Sequence, residues 1–195
     1  MSLLPLEAQS SYRSLAMRRF PPLAVTLCAA LGLAACSFSL GAMNPSPNVL
    51  LLKSTKAIAL RFSPEVPESF SLHRDDSGPS IDVSEWHESL GHAFKNGFAP
   101  FFVSASGNGP SDLTLVIVHA EPAMVSTPDG GREMALRYQA ELIDAHDQEI
   151  KAWADTVHRP VVVGSGFANA DVYKESVSNA VAGMFEKIAK DLPQP

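Results

Sequence analysis

The sequence has almost no cysteine: two in 195 residues, Cys28 and Cys36, both in an apolar zone near the N-terminus. Everything after residue 36 therefore lacks a thiol. That excludes disulfides, thiolate nucleophiles and cysteine-held metals from the rest of the chain. Excess positive charge is missing too, with 15 Lys and Arg against 21 Asp and Glu, a net of -6. The first 35 residues hold Arg13, Arg18 and Arg19 against Glu7 alone, so the remaining 160 residues reach -8. That sign argues against nucleic acid as a partner, and against a domain drawn to anionic lipid by its own charge. Long apolar runs are also lacking. The stretch Leu23 to Leu33 falls well short of the roughly 20 residues that span a bilayer.

What is present at that end is ordered. Met17-Arg18-Arg19-Phe20 forms a compact positive region, the apolar stretch follows, and Leu33-Ala34-Ala35-Cys36 closes it. This is the anatomy of a secretory signal. The last four residues resemble the lipobox of bacterial lipoproteins. The resemblance implies cleavage between Ala35 and Cys36, and lipid on the Cys36 thiol. Several acyl chains give durable anchoring where one gives only marginal binding. Residues 1 to 16 precede the positive region, so Met17 is a possible true start. Ser37 stands where an Asp would resemble an inner-membrane retention signal, which favours the outer membrane.

Three segments are expected: a signal over 1–35, a lipidated tether over 36–48 with Asn44-Pro45-Ser46-Pro47, and one domain over 49–195. In that domain, Ile58, Leu60 and Phe62 share one face of a first strand. A long proline-containing loop with Phe70 runs from 63 to 80. The spacing of Val83, Trp86, Leu90, Ala93 and Phe94 predicts a helix over Asp82–Phe98, with Asp82 as N-cap and Glu85 completing a capping box. Leu113–Ala120 reads as a central strand, and Pro122 to Gly131 as a turn. Met134, Leu136, Tyr138, Ala140 and Leu142 alternate with Arg137, Gln139 and Glu141, marking a strand with one wet face. Asp144-Ala145-His146-Asp147 turns into a partner strand over Glu149–Arg159. Val177, Val181, Met184, Phe185 and Ile188 stripe a closing helix from about Ala170 to Leu192. The order β-α-β-β-β-α predicts an α+β fold: an antiparallel sheet of about four strands with two helices on one face.

Motifs that carry chemistry are scarce. His87 and His92 are five apart, about 140° round a helix, where a zinc-protease pair needs four, about 40°. His119, His146 and His158 match no metal spacing, and Asp144, His146 and Asp147 fit a polar turn. Gly164-Ser165-Gly166-Phe167 lacks the third glycine of a dinucleotide loop and reads as a linker. Ser104 and Ser106 lack the flanking glycines of a nucleophile elbow. No cofactor and no metal is expected. The outward face of the sheet would carry Ala57, Ala59, Val116 and Val118, which is apolar for a wet surface. A partner, a lipid-like ligand, the tether or the 63–80 loop could cover it.

From Cys36 onward the order of elements resembles the YajG-like lipoproteins and the auxiliary lipoproteins of lipid-transporting ABC and MCE systems. It resembles the lipopolysaccharide-assembly lipoprotein more distantly. The stretch carrying the resemblance is Gly131-Arg132-Glu133-Met134-Ala135-Leu136-Arg137-Tyr138, continuing to Asp144-Ala145-His146-Asp147-Gln148-Glu149. The resemblance implies non-enzymatic work: binding an envelope partner, protein or lipid, on the periplasmic side. Two other classes remain open, an envelope hydrolase using a histidine such as His119 or His158, and a carrier of a small apolar ligand.

Overall fold

A computed structural model describes residues 37–74, 80–106, 111–161 and 170–192. The expected signal segment, Cys28 and Cys36, the Gly107–Pro110 turn and the Gly164–Phe167 linker lie outside the described residues. The elements are β1 (Ser37–Leu40), β2 (Ala57–Phe62), β3 (Phe70–Ser71), β4 (His73–Arg74), β5 (Ser80–Val83), α1 (Trp86–Phe98), β6 (Ser104–Ser106), β7 (Leu113–Ser126), β8 (Arg132–Asp144), β9 (Glu149–Pro160) and α2 (Ala170–Lys190). No helix among them is long and apolar enough to cross a membrane.

The fold is α+β, but the sheet differs from the expected one. It is mixed and six-stranded, in the order β6-β2-β7-β8-β9 with β4 joined to β7, and a second sheet runs β1-β5-β3. β2 is parallel to both β6 and β7. The reason is the connection. A helix between two strands carries the chain back to its starting end, so β2, α1 and β7 form a parallel crossover, not a hairpin. Only β7-β8 and β8-β9 are the antiparallel hairpins that the alternation foretold.

Three local expectations are corrected. Asp82 does not cap a helix; Ser80–Val83 is a strand with Ile81 and Val83 buried and Asp82 outward. There its carboxylate accepts a hydrogen bond from Ser71 Oγ at 2.6 Å. The helix begins at Trp86, after Glu85 at φ 55°. Next, β7 runs on through Pro122 to Ser126. Its pairing with β2 ends at Ile117, so Pro122 lies beyond that partner, where a missing N–H is tolerated.

The third correction concerns the expected tether at 36–48. Ser37–Leu40 pairs in parallel with β5, and Leu40 and Met43 are buried. The chain is then laced along α1. Met43 N–H donates to Ser89 Oγ at 2.9 Å, and Asn96 Nδ2 donates to Asn44 Oδ1 and Pro45 O, both at 2.8 Å. Gly97 permits this approach: a Cβ there would meet Pro47 Cγ at 3.3 Å. The small polar residues suggest a linker, yet Leu40, Met43 and Val49 are core.

Both helices pack on one face of the six-stranded sheet. Trp86 Nε1 donates to Ala120 O at 3.2 Å, tying α1 to β7. Phe94 and Phe98 of α1 meet Phe185 of α2 at 6.3 and 6.0 Å. The stripe Val177, Val181, Met184, Phe185 and Ile188 is fully buried, as are Leu115, Ile117, Met134 and Leu136 beneath it. Each such side chain gains roughly 1.5–3 kcal/mol by leaving water, so this face supplies most of the stability. The described part of the 63–80 segment, residues 63–74, is drawn into the same core: Phe70 stands edge-on to Trp86 at 5.4 Å, and Val66 and Leu72 are buried.

Candidate functional site

The opposite face of the large sheet is covered by no described element. Cross-strand register lays it out in rows. One row is Ala59, Thr114 and Ile143, and the next is Arg61, Val116, Glu141 and Ala152. Farther along come His119, Gln139 and Ala154, and then Glu121, Arg137 and Thr156. The expected binding-face residues Ala57, Ala59 and Val116 share this surface. Ala59 is 5% and Val116 9% exposed. In register, Val116 lies between the longer Arg61 and Glu141, whose stems can shelter it.

Val118 does not hold the place expected of it. The β7-β8 register shifts between Ile117 and His119, leaving Val118 unpaired in a bulge. Before the bulge the odd residues Leu115 and Ile117 are core, and after it the even residues Ala120 and Met124 are. The extra residue therefore hands the outward position to His119. Bulges re-aim side chains in this way and cluster near working surfaces.

Polar side chains on this face are paired across short distances. Arg61 Nη2 stands 3.5 Å from Asp147 Oδ1, His119 Nε2 is 3.4 Å from Glu121 Oε2, and His158 Nδ1 is 3.2 Å from Glu133 Oε2. These partners are substantially exposed, so each pair contributes little stability. Arg137 is exposed and makes no ion pair among the described residues. It lines a trough of about 450 Å³ together with His73, Glu121, Ala123, Ala135, Thr156 and His158. That trough offers a guanidinium and two imidazoles beside methyl groups. It suits the binding of a ligand that is part anionic and part apolar. Neither His119 nor His158 meets a hydroxyl among the described residues; each faces a glutamate.

The remaining candidates fall apart in space. His87 Nε2 lies 2.8 Å from Val66 O with its ring stacked on Phe62 at 4.3 Å. His92 Nδ1 lies 3.0 Å from Met43 O. The two imidazoles therefore serve different contacts. Asp144 accepts from Gln148 N–H at 2.9 Å and His146 N–H at 2.7 Å, and these bonds, the first most, hold its carboxyl below the usual range. It closes a hairpin whose Asp147 sits at φ 57°.

Sequence reasoning missed the exposed edge of β9. At Tyr138, on the helix side near that edge, burial and the nearby Asp155 and Asp191 push the phenol up to about 12. Asp155 is pulled below its ordinary value, first by the Lys187 ammonium at 2.5 Å and then by Thr156 N–H. The alternation Lys151, Trp153, Asp155 against Ala152, Ala154 was a usable signal.

No family model matches the chain, and no curated protein matches it. Among solved structures it is similar to a Xanthomonas campestris protein described under the family-model DUF330. The identity is 12%, covering 80% of this chain and 93% of that one, with a TM-score of 0.53. It is also similar to a minor lipoprotein from Acinetobacter baumannii, at 8% identity, 70% and 91% coverage and a TM-score of 0.45. At such identities the first likeness shows the fold alone, and the second is too distant to carry an argument.

Proposed function

We propose that this protein is a lipid-anchored binding or assembly module of the bacterial envelope. It is held on the periplasmic side of the outer membrane through Cys36, and works without catalysis. The observation that carries the reading is where the fold begins. Cys36–Pro195 forms one compact unit, and β1 starts at Ser37, directly after the lipobox-like Leu33-Ala34-Ala35-Cys36. A domain that starts one residue after its lipid has no slack. Consecutive Cα atoms are about 3.8 Å apart, so Ser37 sits at the anchor and the domain rides close to the bilayer. The binding role is supported by the open sheet face, whose small apolar floor and Arg137-lined trough stand opposite the helix layer. The hydrolase reading gains no support from His119 and His158, which meet glutamates and not a nucleophile.

Replacing Cys36 by Ser tests the anchor. The variant should remain unprocessed, take up no fatty-acid label and leave the membrane fraction once its leader is exchanged for a soluble one. Normal labelling of Cys36→Ser would overturn the proposal.

A further inference from the structure

β9 is the edge of the six-stranded sheet, and its free backbone groups can be identified. Val161 N–H donates to Arg132 O at 2.8 Å, so these two form a hydrogen-bonded pair of the antiparallel ladder. The same pairing recurs at every second residue back along the strand, through Arg159, Val157, Asp155, Trp153 and Lys151. The N–H and C=O of Ala152, Ala154, Thr156 and His158 consequently point away from the sheet. At two of these the groups are occupied. Thr156 N–H donates to Asp155 Oδ1 at 2.7 Å, and its carbonyl accepts from Lys187 Nζ at 3.1 Å. The His158 carbonyl accepts from Arg159 Nη1 at 3.3 Å. The backbone groups of Ala152 and Ala154 have no such partner among the described residues. An open sheet edge of this kind is a template for another strand.

A trough lies on each side of that opening. One, of about 260 Å³, is lined by Gln139, Glu141, Ala152, Trp153 and Ala154. The other, of about 510 Å³ on the helix side, is lined by the same three β9 residues with Tyr138, Lys151, Asp155, Lys187, Lys190 and Asp191. In the second, three ammonium groups face two carboxylates, and Lys187 already neutralises Asp155. Trp153 is 92% buried, and its Nε1–H is a buried donor with no partner among the described residues. Such a donor is costly to leave unmet and marks a place for an acceptor.

We propose that Ala152–Ala154 accepts an extended strand of a partner protein by β-addition. A carboxylate side chain of that strand enters the Lys151–Lys190 trough. Main-chain bonds to Ala152 and Ala154 would supply affinity, and the two troughs would read alternate side chains. The Asp155–Lys187–Thr156 clamp sets one end of the docked segment. The smaller trough borders the open sheet face through Gln139 and Glu141, and the inference holds whether or not Cys36 is acylated.

The test is selection of displayed random peptides on the detergent-solubilised full-length protein. Clones should be enriched that read as alternating strands with Asp or Glu at one fixed position. Ala154→Pro removes an outward N–H at an edge position where proline is compatible with the sheet. It should keep the circular dichroism spectrum and weaken those clones about ten-fold or more. Lys151→Glu, which leaves the backbone edge intact, should weaken them likewise. Three outcomes would overturn the proposal: no enrichment; clones that bind Ala154→Pro undiminished; or self-association that Ala154→Pro abolishes, which would assign the edge to a second copy of this chain.

Discussion

The two faces of the large sheet are made by the same strands and have opposite chemistry. Toward the helices stand Leu115, Ile117, Met134, Leu136 and Tyr138, none more than 1% exposed. Away from them stand Ala59, Val116, Ala135 and Ala152 with Arg61, Glu141, Arg137 and His119 between. One face is built from large residues that interlock with α1 and α2. The other is built from small residues with charges standing over them. Large interlocking side chains are what a core needs, whereas a floor of alanines and valines leaves room for something else. The first face carries the stability, and the second is the contact surface we propose.

The sharpest way to break that division is a pair of neighbours. Ile117→Glu should unfold the domain, because it buries an unpaired charge beneath the helices. Val116→Glu should cost no more than roughly 1–2 kcal/mol, since its side chain can reach water on the open face. Thermal melts by circular dichroism read both, and equal losses would mean that both faces are core.

A smaller effect is expected at the start of the domain. Leu40→Ala should cost roughly 2–5 kcal/mol, the range for a buried leucine. Urea titration checks this, and an unchanged midpoint would return the segment to the status of a tether.

Tyr138 sharpens the helix-side description through pH. Its phenol is pushed up to about 12, so the folded protein keeps the proton that the unfolded chain loses near 10. The stabilisation is complete below pH 10 and disappears as pH rises through the folded value, roughly 2–3 kcal/mol in all. Tyr138→Phe should lose this part of the alkaline dependence in melts between pH 9 and 12, on the order of the same window.

The smallest effect belongs to Asp155 on the β9 edge. Lys187 and Thr156 N–H hold its pKa below 3.8, so its contribution is present above that value and fades as pH falls through the lower folded one. With both side chains about half exposed, Asp155→Asn should cost less than about 1 kcal/mol at neutral pH. A larger loss in denaturant melts would make the clamp part of the core.

Much of this division was legible in the sequence. The alternation in β8 separates Met134, Leu136 and Tyr138 from Arg137 and Gln139 without ambiguity, and the stripe of α2 is as plain. What misled was local chemistry overruled by tertiary contacts. Asp82 looks like an N-cap, but Ile81 and Val83 find a partner strand in β1, 43 residues earlier in the register that pairs Ile81 with Phe38. The segment 43–48 reads as linker because nothing local shows that α1 offers Ser89 and His92 to the Met43 backbone and Asn96 to Asn44 and Pro45. The bulge at Val118 has no sequence mark, so Ala57, Ala59 and Val116 share the outward face expected of them while His119 takes the place expected of Val118.

The central claim, that the open face works while the helix face holds the fold, is tested most directly in the cell envelope. A photo-crosslinking amino acid is placed at Val116 or Gln139 on the open face, and at Lys174 or Asn179 on the exposed side of α2. The account predicts a discrete crosslinked species, protein or lipid, from the open-face positions and none from α2. Crosslinks from α2 alone would contradict it.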